Sequence, residues 1–590
     1  MKVPTQVALF AVPFACDHAP NLALSIFKEQ LNQINIPCKL FYLNNEFSKK
    51  IGPKAYTSAV LISNIISYRT AWNENCDDVT ESSGMSINEK LGFLLLRNEF
   101  EKFVDEVIDR DYSQYTIFGF AGILSQIPSV FSFARRLKIK YPLAKFFFGG
   151  TSFFKHMGIE YIKKLDFIDC VALHAAEKTF VSIVQDMSSG KSFDKSCEGI
   201  NGIAYRSENK CLIINDKYDY KLNDIPVPDF SDYYRDVGEP SLWPIYFSRG
   251  CSWADCQCCT FCVEKQLSGP YVAKTFEDSL KYLQEYVKKN PNCSNILCCD
   301  CLINHTFINK VLLPWSKIRP NNVKMFVEVK PWISKHDVSI LKKAGVDKLQ
   351  TGIENIDDRV CNLLKKGHKT YHSIGFLKYA KHYNIKTMWN YLFPVIGEDG
   401  SWCEQQLKIC QNIRHFQPPI ISLSLVVTQF SDYWSNPDKW GIELIPGQIY
   451  PPYIDSRSVS WDFISIEHVP YKHNVYYIEL IDFMFEWGGV KQCMPRSIFN
   501  KHINTTEYAG EDRTLVFTDD GYIFDSRFNR LGNKIRISDI ERDILIFCEQ
   551  PKKIIELVKT FGQKTIDKLE NKRLLYCGSG HCISYVECLE

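Results

Sequence analysis

The spacing of apolar positions changes repeatedly along this chain, and each change marks an element. TQVALFAV (residues 5–12) is an almost unbroken apolar run, read as a buried strand. In PNLALSIFKEQLNQIN the period switches. Leu24, Phe27, Leu31 and Ile34 recur at i, i+3, i+7 and i+10 behind Pro20, which predicts an amphipathic helix. CKLFYL is a second strand. YTIFGF, a helix around Val130, Phe133, Ala134 and Leu137, the run AKFFFGG, DCVAL and a helix from Ala175 continue the alternation. Strands apolar on both faces belong to parallel sheets covered by helices. Residues 1–215 therefore predict an α/β domain with a doubly wound, Rossmann-like sheet, and 50–110 helices inserted into it. The polar stretch 190–240 ends in IPVPDFSDYY and reads as connection, with 216–240 as the linker.

A second alternation starts at Pro244. PIYFS, NILCCD, KMFVEVK, KLQTG and IKTMWNYLF read as strands. Between them lie helices capped by Thr275 (with Asp278 three residues on) and Ser334, a helix through Val360 and Leu364 ending at Gly367, and a helix over 371–384. The repeated β/α unit predicts a full or partial TIM-type (β/α) barrel over 241–460. The remainder, 461–590, reads as a small α+β region, with three helices and two short strands from 538 forming a winged-helix-like module.

Composition narrows the function classes. The chain has 590 residues, 45% hydrophobic and 23% charged, as in ordinary globular proteins. A formal net charge of +2 gives no basic field for nucleic acid or membrane, and no run of 18 apolar residues occurs. The N-terminus is broken by prolines and reads as a first strand, not a signal peptide. The 23 cysteines in so long a chain fit reduced thiols in a cytoplasmic protein.

The densest chemistry is SRGCSWADCQCCTFCVEKQ, Ser248 to Gln266, directly after the first barrel strand. Three thiolates can hold three irons of a [4Fe–4S] cube and leave the fourth open. Five cysteines compete for that role: Cys251, Cys256, Cys258, Cys259 and Cys262. A closed site through Cys251, Cys256, Cys259 and Cys262, for zinc or an electron-carrying cluster, is the alternative. Two further groups, Cys293/Cys298/Cys299/Cys301 and Cys577/Cys582/Cys588, are weaker candidates for an auxiliary cluster.

Arg249, Gly250, Cys251 and Trp253, followed by Cys259, Thr260, Phe261 and Cys262, resemble the cluster loop of the cobalamin-binding radical S-adenosylmethionine (SAM) maturases of ribosomally made, post-translationally modified peptides. The chain departs from that family at Cys258, where His is usual, and at Val263, where Gly is usual. The resemblance implies Cys251, Cys259 and Cys262 as the cluster ligands. It continues in Val327-Glu328-Val329-Lys330, in Gln350-Thr351-Gly352-Ile353-Glu354-Asn355, in Lys365-Lys366-Gly367, and in Trp389-Asn390 with Gly397-Glu398. Glu328, Lys330, Gly352, Glu354 and Asn390 are thereby implied as SAM contacts. Gly119–Gln126 (GFAGILSQ), Gly149-Gly150-Thr151 and Leu43-Asn44-Asn45 are glycine-bearing or polar strand ends of the first sheet, where such sheets bind ligands. By the same resemblance, Phe120, Gly149, Gly150 and Thr151 would contact cobalamin. The family's Gly-Glu-x-Glu step is present only as His174-Ala175-Ala176-Glu177.

The implied function is reductive cleavage of SAM to a 5′-deoxyadenosyl radical and modification of a peptide precursor. The modification would be C-methylation with cobalamin, and reduced flavodoxin or ferredoxin would donate the electrons. Peptide cyclisation or epimerisation without methyl transfer is the enzymatic alternative; a non-catalytic iron–sulfur or zinc protein is the other.

Overall fold

A computed structural model describes residues 5–72, 87–123, 126–209, 212–217, 222, 225–422, 425–465, 475–488 and 513–588. Five parallel strands open the chain: β1 (Val7–Ala11), β2 (Cys38–Tyr42), β3 (Ile117–Ala121), β4 (Lys145–Gly149) and β5 (Cys170–Ala172). Their order is β2-β1-β3-β4-β5, so the winding reverses between β1 and β3, where open α/β sheets bind ligands. Phe10, Phe118, Phe120, Phe146 and Phe148 sit at alternate positions and so share one face. Their rings stack across the strands, with Phe118–Phe146 centroids 4.9 Å apart and Phe10–Phe120 5.0 Å.

Two expectations for this domain need correcting. The stretch 190–240 is not only connection: β6 (Ile203–Arg206) and β7 (Leu212–Asn215) extend the same sheet antiparallel. β7 carries the apolar run Leu212-Ile213-Ile214 but lies at the sheet edge, with Ile213 and Ile214 exposed; at four residues, the strand is too short to stand out among its polar flanks. In the linker, the helix Ser231–Asp236 docks on β2, where Asp232 accepts from Leu40 N at 2.8 Å and pairs with Lys28 at 2.6 Å. Leu43–Asn45 is not an open loop either. It starts the helix Leu43–Ile51, and Asn44 and Asn45 donate to the carbonyls of Cys16 and Asp17.

The second sheet is singly wound. β8 (Trp243–Ile245) is followed by a small ribbon, β9 (Ser248–Arg249) with β10 (Val272–Ala273). Then come β11 (Asn295–Cys298), β12 (Lys324–Val329), β13 (Lys348–Thr351) and β14 (Lys386–Met388), in the parallel order β8-β11-β12-β13-β14. IKTMWNYLF, expected as one strand, divides at Trp389. β15 (Asn390–Leu392) pairs instead with β16 (Ile420–Ser422), because Trp389 O accepts from Ile420 N at 2.7 Å. A bridge from Glu354 to Tyr391 carries the curvature on into a partial barrel. The caps form as the sequence indicates: Thr275 Oγ1 accepts from Asp278 N, and Ser334 and Asp337 make a reciprocal box.

Beyond the barrel, β17 (Val427–Thr428), β18 (Leu444–Pro446) and β19 (Asp462–Ser465) form one small sheet. β20 (Leu515–Phe517), β21 (Tyr522–Asp525) and β22 (Asn533–Arg536) form another. Three helices, Asp539–Phe547, Ile554–Phe561 and Gln563–Asn571, come with a third sheet of β23 (Lys552–Lys553), β24 (Leu575–Gly578) and β25 (His581–Ser584). This end is pinned to the barrel by three cations, of which Lys378 and Arg527 are buried. Lys378 donates to Ser584 O at 2.9 Å, and Lys381 pairs with Glu587 at 2.9 Å. Arg527, fully buried, pairs with Asp525 and donates to Asn412 O. Among the described residues no helix is long and apolar enough to cross a membrane.

Candidate active site

The cysteine loop leaves the C-terminal end of β8, the face on which barrel enzymes place their chemistry. Its base is anchored by Asp300, which is buried and accepts from Phe247 N at 2.9 Å and from Ser248 Oγ. The β9–β10 ribbon closes the loop. Gly250 has φ +75°, and a Cβ there would lie 3.2 Å from Tyr271 Cα, so glycine lets the two sides of the loop approach.

The far side of the loop packs on the Lys365-Lys366-Gly367 turn. Trp253 Nε1 donates to Lys365 O at 3.1 Å, Thr260 N to Leu364 O at 3.2 Å, and Cys259 Sγ lies 3.8 Å from Lys365 O. A Cβ at Gly367 would come within 2.3 Å of the Trp253 indole. Cys259 is buried; Cys251 and Cys262 are half-buried. Of the extra thiols, Cys256 is exposed, and Cys258 is half-buried with Sγ 3.7 Å from Cys262 O. Among the described residues, no three His, Cys, Asp or Glu side chains are drawn together as a single metal ion would require.

Two buried ammonium groups face these thiols. Lys330 is 6% exposed, lies 5.1 Å over Trp253 and 5.2 Å over Trp332, and donates to Lys366 O. Burial, with Lys366 adding to it, pushes the Lys330 ammonium down to about 8, while Cys259 and Cys251 pull the other way. Burial also opposes the charge on Lys366, but Glu354, 3.3 Å away, and Cys259 hold it above the ordinary lysine range. Glu354 has φ +60°, a left-handed conformation uncommon for a residue with a side chain. Gly352 makes room for this group: a Cβ there would sit 3.1 Å from Lys366 Nζ and 3.6 Å from Glu354 Oε1. Glu328 is pushed up to about 7, first by burial and then by Glu354 and Glu264. Cys251, Cys259, Cys262, Lys330, Gly352 and Glu354 are thus drawn into one neighbourhood, with Glu328 in its electrostatic reach. Asn390 is half-buried at the start of β15, next to the residue that bridges Glu354. Trp389 is core: it is fully buried and donates to Gln417 O.

Glu398, buried, closes a polar network that sequence reading did not reveal. It accepts from Val395 N and Gln406, and Gln406 accepts from Asn355 and Tyr391. A hollow lies between Trp253, Lys330, Trp332 and Asn304.

Residues 245–405 match the family model of the radical SAM superfamily. They form a radical SAM domain. Such a domain works with a [4Fe–4S] cluster and SAM, and the donor set here fits both. Three cysteines on one loop offer sulfur to iron, and two buried ammonium groups offset thiolate charge. A carboxylate and an ammonium face the same space, matching the amino and carboxylate groups of an amino-acid ligand.

Solved structures share the wider fold. The cobalamin-dependent SAM radical enzyme OxsB, with aqua-cobalamin bound, aligns with a TM-score of 0.55 at 14% identity over 79% of this chain and 64% of OxsB. The chain therefore spans under two thirds of that relative. The radical SAM methyltransferase TsrM from Kitasatospora setae, with tryptophan and a SAM analogue bound, aligns at 0.51 and 14% identity over 78% of this chain and 82% of TsrM. Among curated proteins none matches.

In the N-terminal domain, a cavity opens at the ends of β3, β4 and β5. Phe120, Gly149 and Gly150 line it; Thr151 starts the next turn and is not on its wall. Gly150 has φ +97°, and a Cβ there would meet Gly122 O at 2.3 Å, so it holds the β3 and β4 loops together. Leu124 and Ser125 of the GFAGILSQ segment lie outside the described residues. Cys170, Ala172 and Phe180, unmarked by any motif, supply much of the remaining wall, with Ala176 of the His174–Glu177 step. His174 also lines it and is held 2.6 Å from Asp216.

Proposed function

We propose that this chain is a radical SAM enzyme that modifies a ribosomally made peptide, and that the modification is C-methylation with cobalamin seated in the N-terminal cavity. One observation carries the reading. A single loop serves both places: Arg249 is on the cavity wall, and two residues later Cys251 stands at the barrel mouth. Support also comes from the shared fold of OxsB, solved with aqua-cobalamin, and of TsrM, solved with cobalamin and a [4Fe–4S] cluster.

In this reading Cys251, Cys259 and Cys262 hold three irons. Lys330 and Glu354 hold the carboxylate and amino groups of SAM, Gly352 leaves room for them, and Glu328 and Asn390 complete the contacts. Phe120, Gly149 and Gly150 form the strand ends that meet the corrin. The bound cofactors supply a 5′-deoxyadenosyl radical, by one-electron cleavage of SAM, and a transferable methyl group. The protein's part is to orient these groups and keep water from them. Trp253, packed against Gly367, and Trp332 pack over the Lys330 ammonium.

The test is anaerobic reconstitution, with electrons from reduced flavodoxin or ferredoxin. SAM should change the EPR signal of the reduced cluster, 5′-deoxyadenosine should be released, and hydroxocobalamin should bind. With a precursor peptide, the product should gain one methyl group. A cobalamin-free protein with full activity on the peptide would overturn methylation and leave cyclisation or epimerisation. An EPR signal indifferent to SAM would overturn the whole reading.

A further inference from the structure

One residue of the N-terminal cavity's lining, Arg249, comes from the other domain, and a buried carboxylate holds it there. Glu177 opens the helix Glu177–Ser188, and its side chain is 3% exposed. Its Oε1 accepts from the Arg249 guanidinium and, at 3.2 Å, from Tyr246 OH. Arg249 lies 5.2 Å over the Tyr246 ring. Tyr246 and Arg249 bracket Phe247 and Ser248, the two residues that Asp300 anchors from below. The strand leading into the cluster loop is therefore gripped from both sides, by Asp300 of the barrel and by Glu177 of the N-terminal domain. The second oxygen, Oε2, is buried in a residue of the cavity wall, and no group among the described residues hydrogen-bonds it.

We propose that Glu177 is a positioning residue that couples the cavity to the cluster loop. Oε1 fixes Arg249, and Oε2 accepts a hydrogen bond from an N–H or O–H donor of the molecule in the cavity. A donor on Oε2 fixes the carboxylate plane, and with it the guanidinium two residues ahead of Cys251. The second half rests on the reading of the cavity as a cobalamin site, since the amide side chains of cobalamin carry such donors. The first half does not.

Hydroxocobalamin titrations followed by absorbance, and EPR of the reduced cluster with SAM in cobalamin-free enzyme, separate the two halves. In E177Q the amide oxygen can still hold Arg249, but an NH₂ replaces Oε2. E177Q should bind hydroxocobalamin about tenfold or more weakly, the worth of one hydrogen bond to a charged group, and keep the wild-type EPR signal. E177A and R249A should share one altered EPR signal in cobalamin-free enzyme, because each leaves the other charge unpaired. Wild-type hydroxocobalamin affinity in E177Q overturns the cavity half. Wild-type EPR signals in both E177A and R249A overturn the clamp. If the wild-type enzyme binds no hydroxocobalamin, the cobalamin reading and the cavity half fall together, and the EPR comparison still decides the clamp.

Discussion

The barrel mouth and the N-terminal cavity are built on opposite principles. The mouth is crowded with charge: three thiols, two buried lysines and two glutamates within one neighbourhood. The cavity is made largely by omission, with glycines and alanines at the strand ends, phenylalanines behind them and the Glu177–Arg249 pair to one side. A polar site is specified by what its residues offer, because each buried charge must find a partner. An apolar cavity is specified by what its residues lack, and small side chains are permitted almost anywhere. Substitutions in the two places should therefore fail differently.

The sharpest contrast is among the cysteines. C251A, C259A and C262A should each lose most of the iron after reconstitution and reduce 5′-deoxyadenosine release to background. C256A and C258A should keep both; iron counts and product analysis read this. Next in size, K330A should raise the KM for SAM about 10- to 100-fold, the loss of one charge-assisted hydrogen bond, while leaving iron content unchanged. At the cavity, G150A forces a side chain onto a backbone with φ +97° and against Gly122 O, at a local cost of about 1–3 kcal/mol. Hydroxocobalamin affinity should fall while SAM cleavage persists, so that one site fails without the other.

The smallest effect concerns Glu398, which burial pushes up to about 7 from an ordinary value of 4.5. A carboxyl raised on folding contributes stability that is complete below about pH 4.5 and lost as pH rises to about 7. The loss between pH 5 and pH 7 is about 2 kcal/mol. Thermal midpoints over that range should drop more steeply in the wild type than in E398Q.

Legibility followed the same division. Buried parallel strands such as Phe146–Phe148 announce themselves by unbroken apolar runs, and Thr275 and Ser334 announce helices by their capping partners. The cysteine loop was legible because five thiols in twelve residues have few structural uses. β6 and β7 were hidden inside a stretch that otherwise reads as polar connection. The division of a strand at Trp389 was invisible because both halves are equally apolar; only the pairing of Trp389 O with Ile420 N separates them. The Glu177–Arg249 pair joins positions 72 apart in sequence, and no local period records such a contact.

The cations that pin the chain's last described elements give them a mechanical meaning. Lys378 and Lys381 stand on the helix Thr370–His382, the second of the two helices between β13 and β14. Their partners Ser584 and Glu587 belong to a region with no part in the cysteine loop. Cutting the chain after the barrel would strand the buried Lys378 ammonium, unpair Lys381 and bare the apolar surface around Ile374 and Leu377. The smallest portable catalytic unit is therefore longer than the stretch carrying the chemistry. In shuffling or transplantation experiments, barrel and tail should travel as one piece.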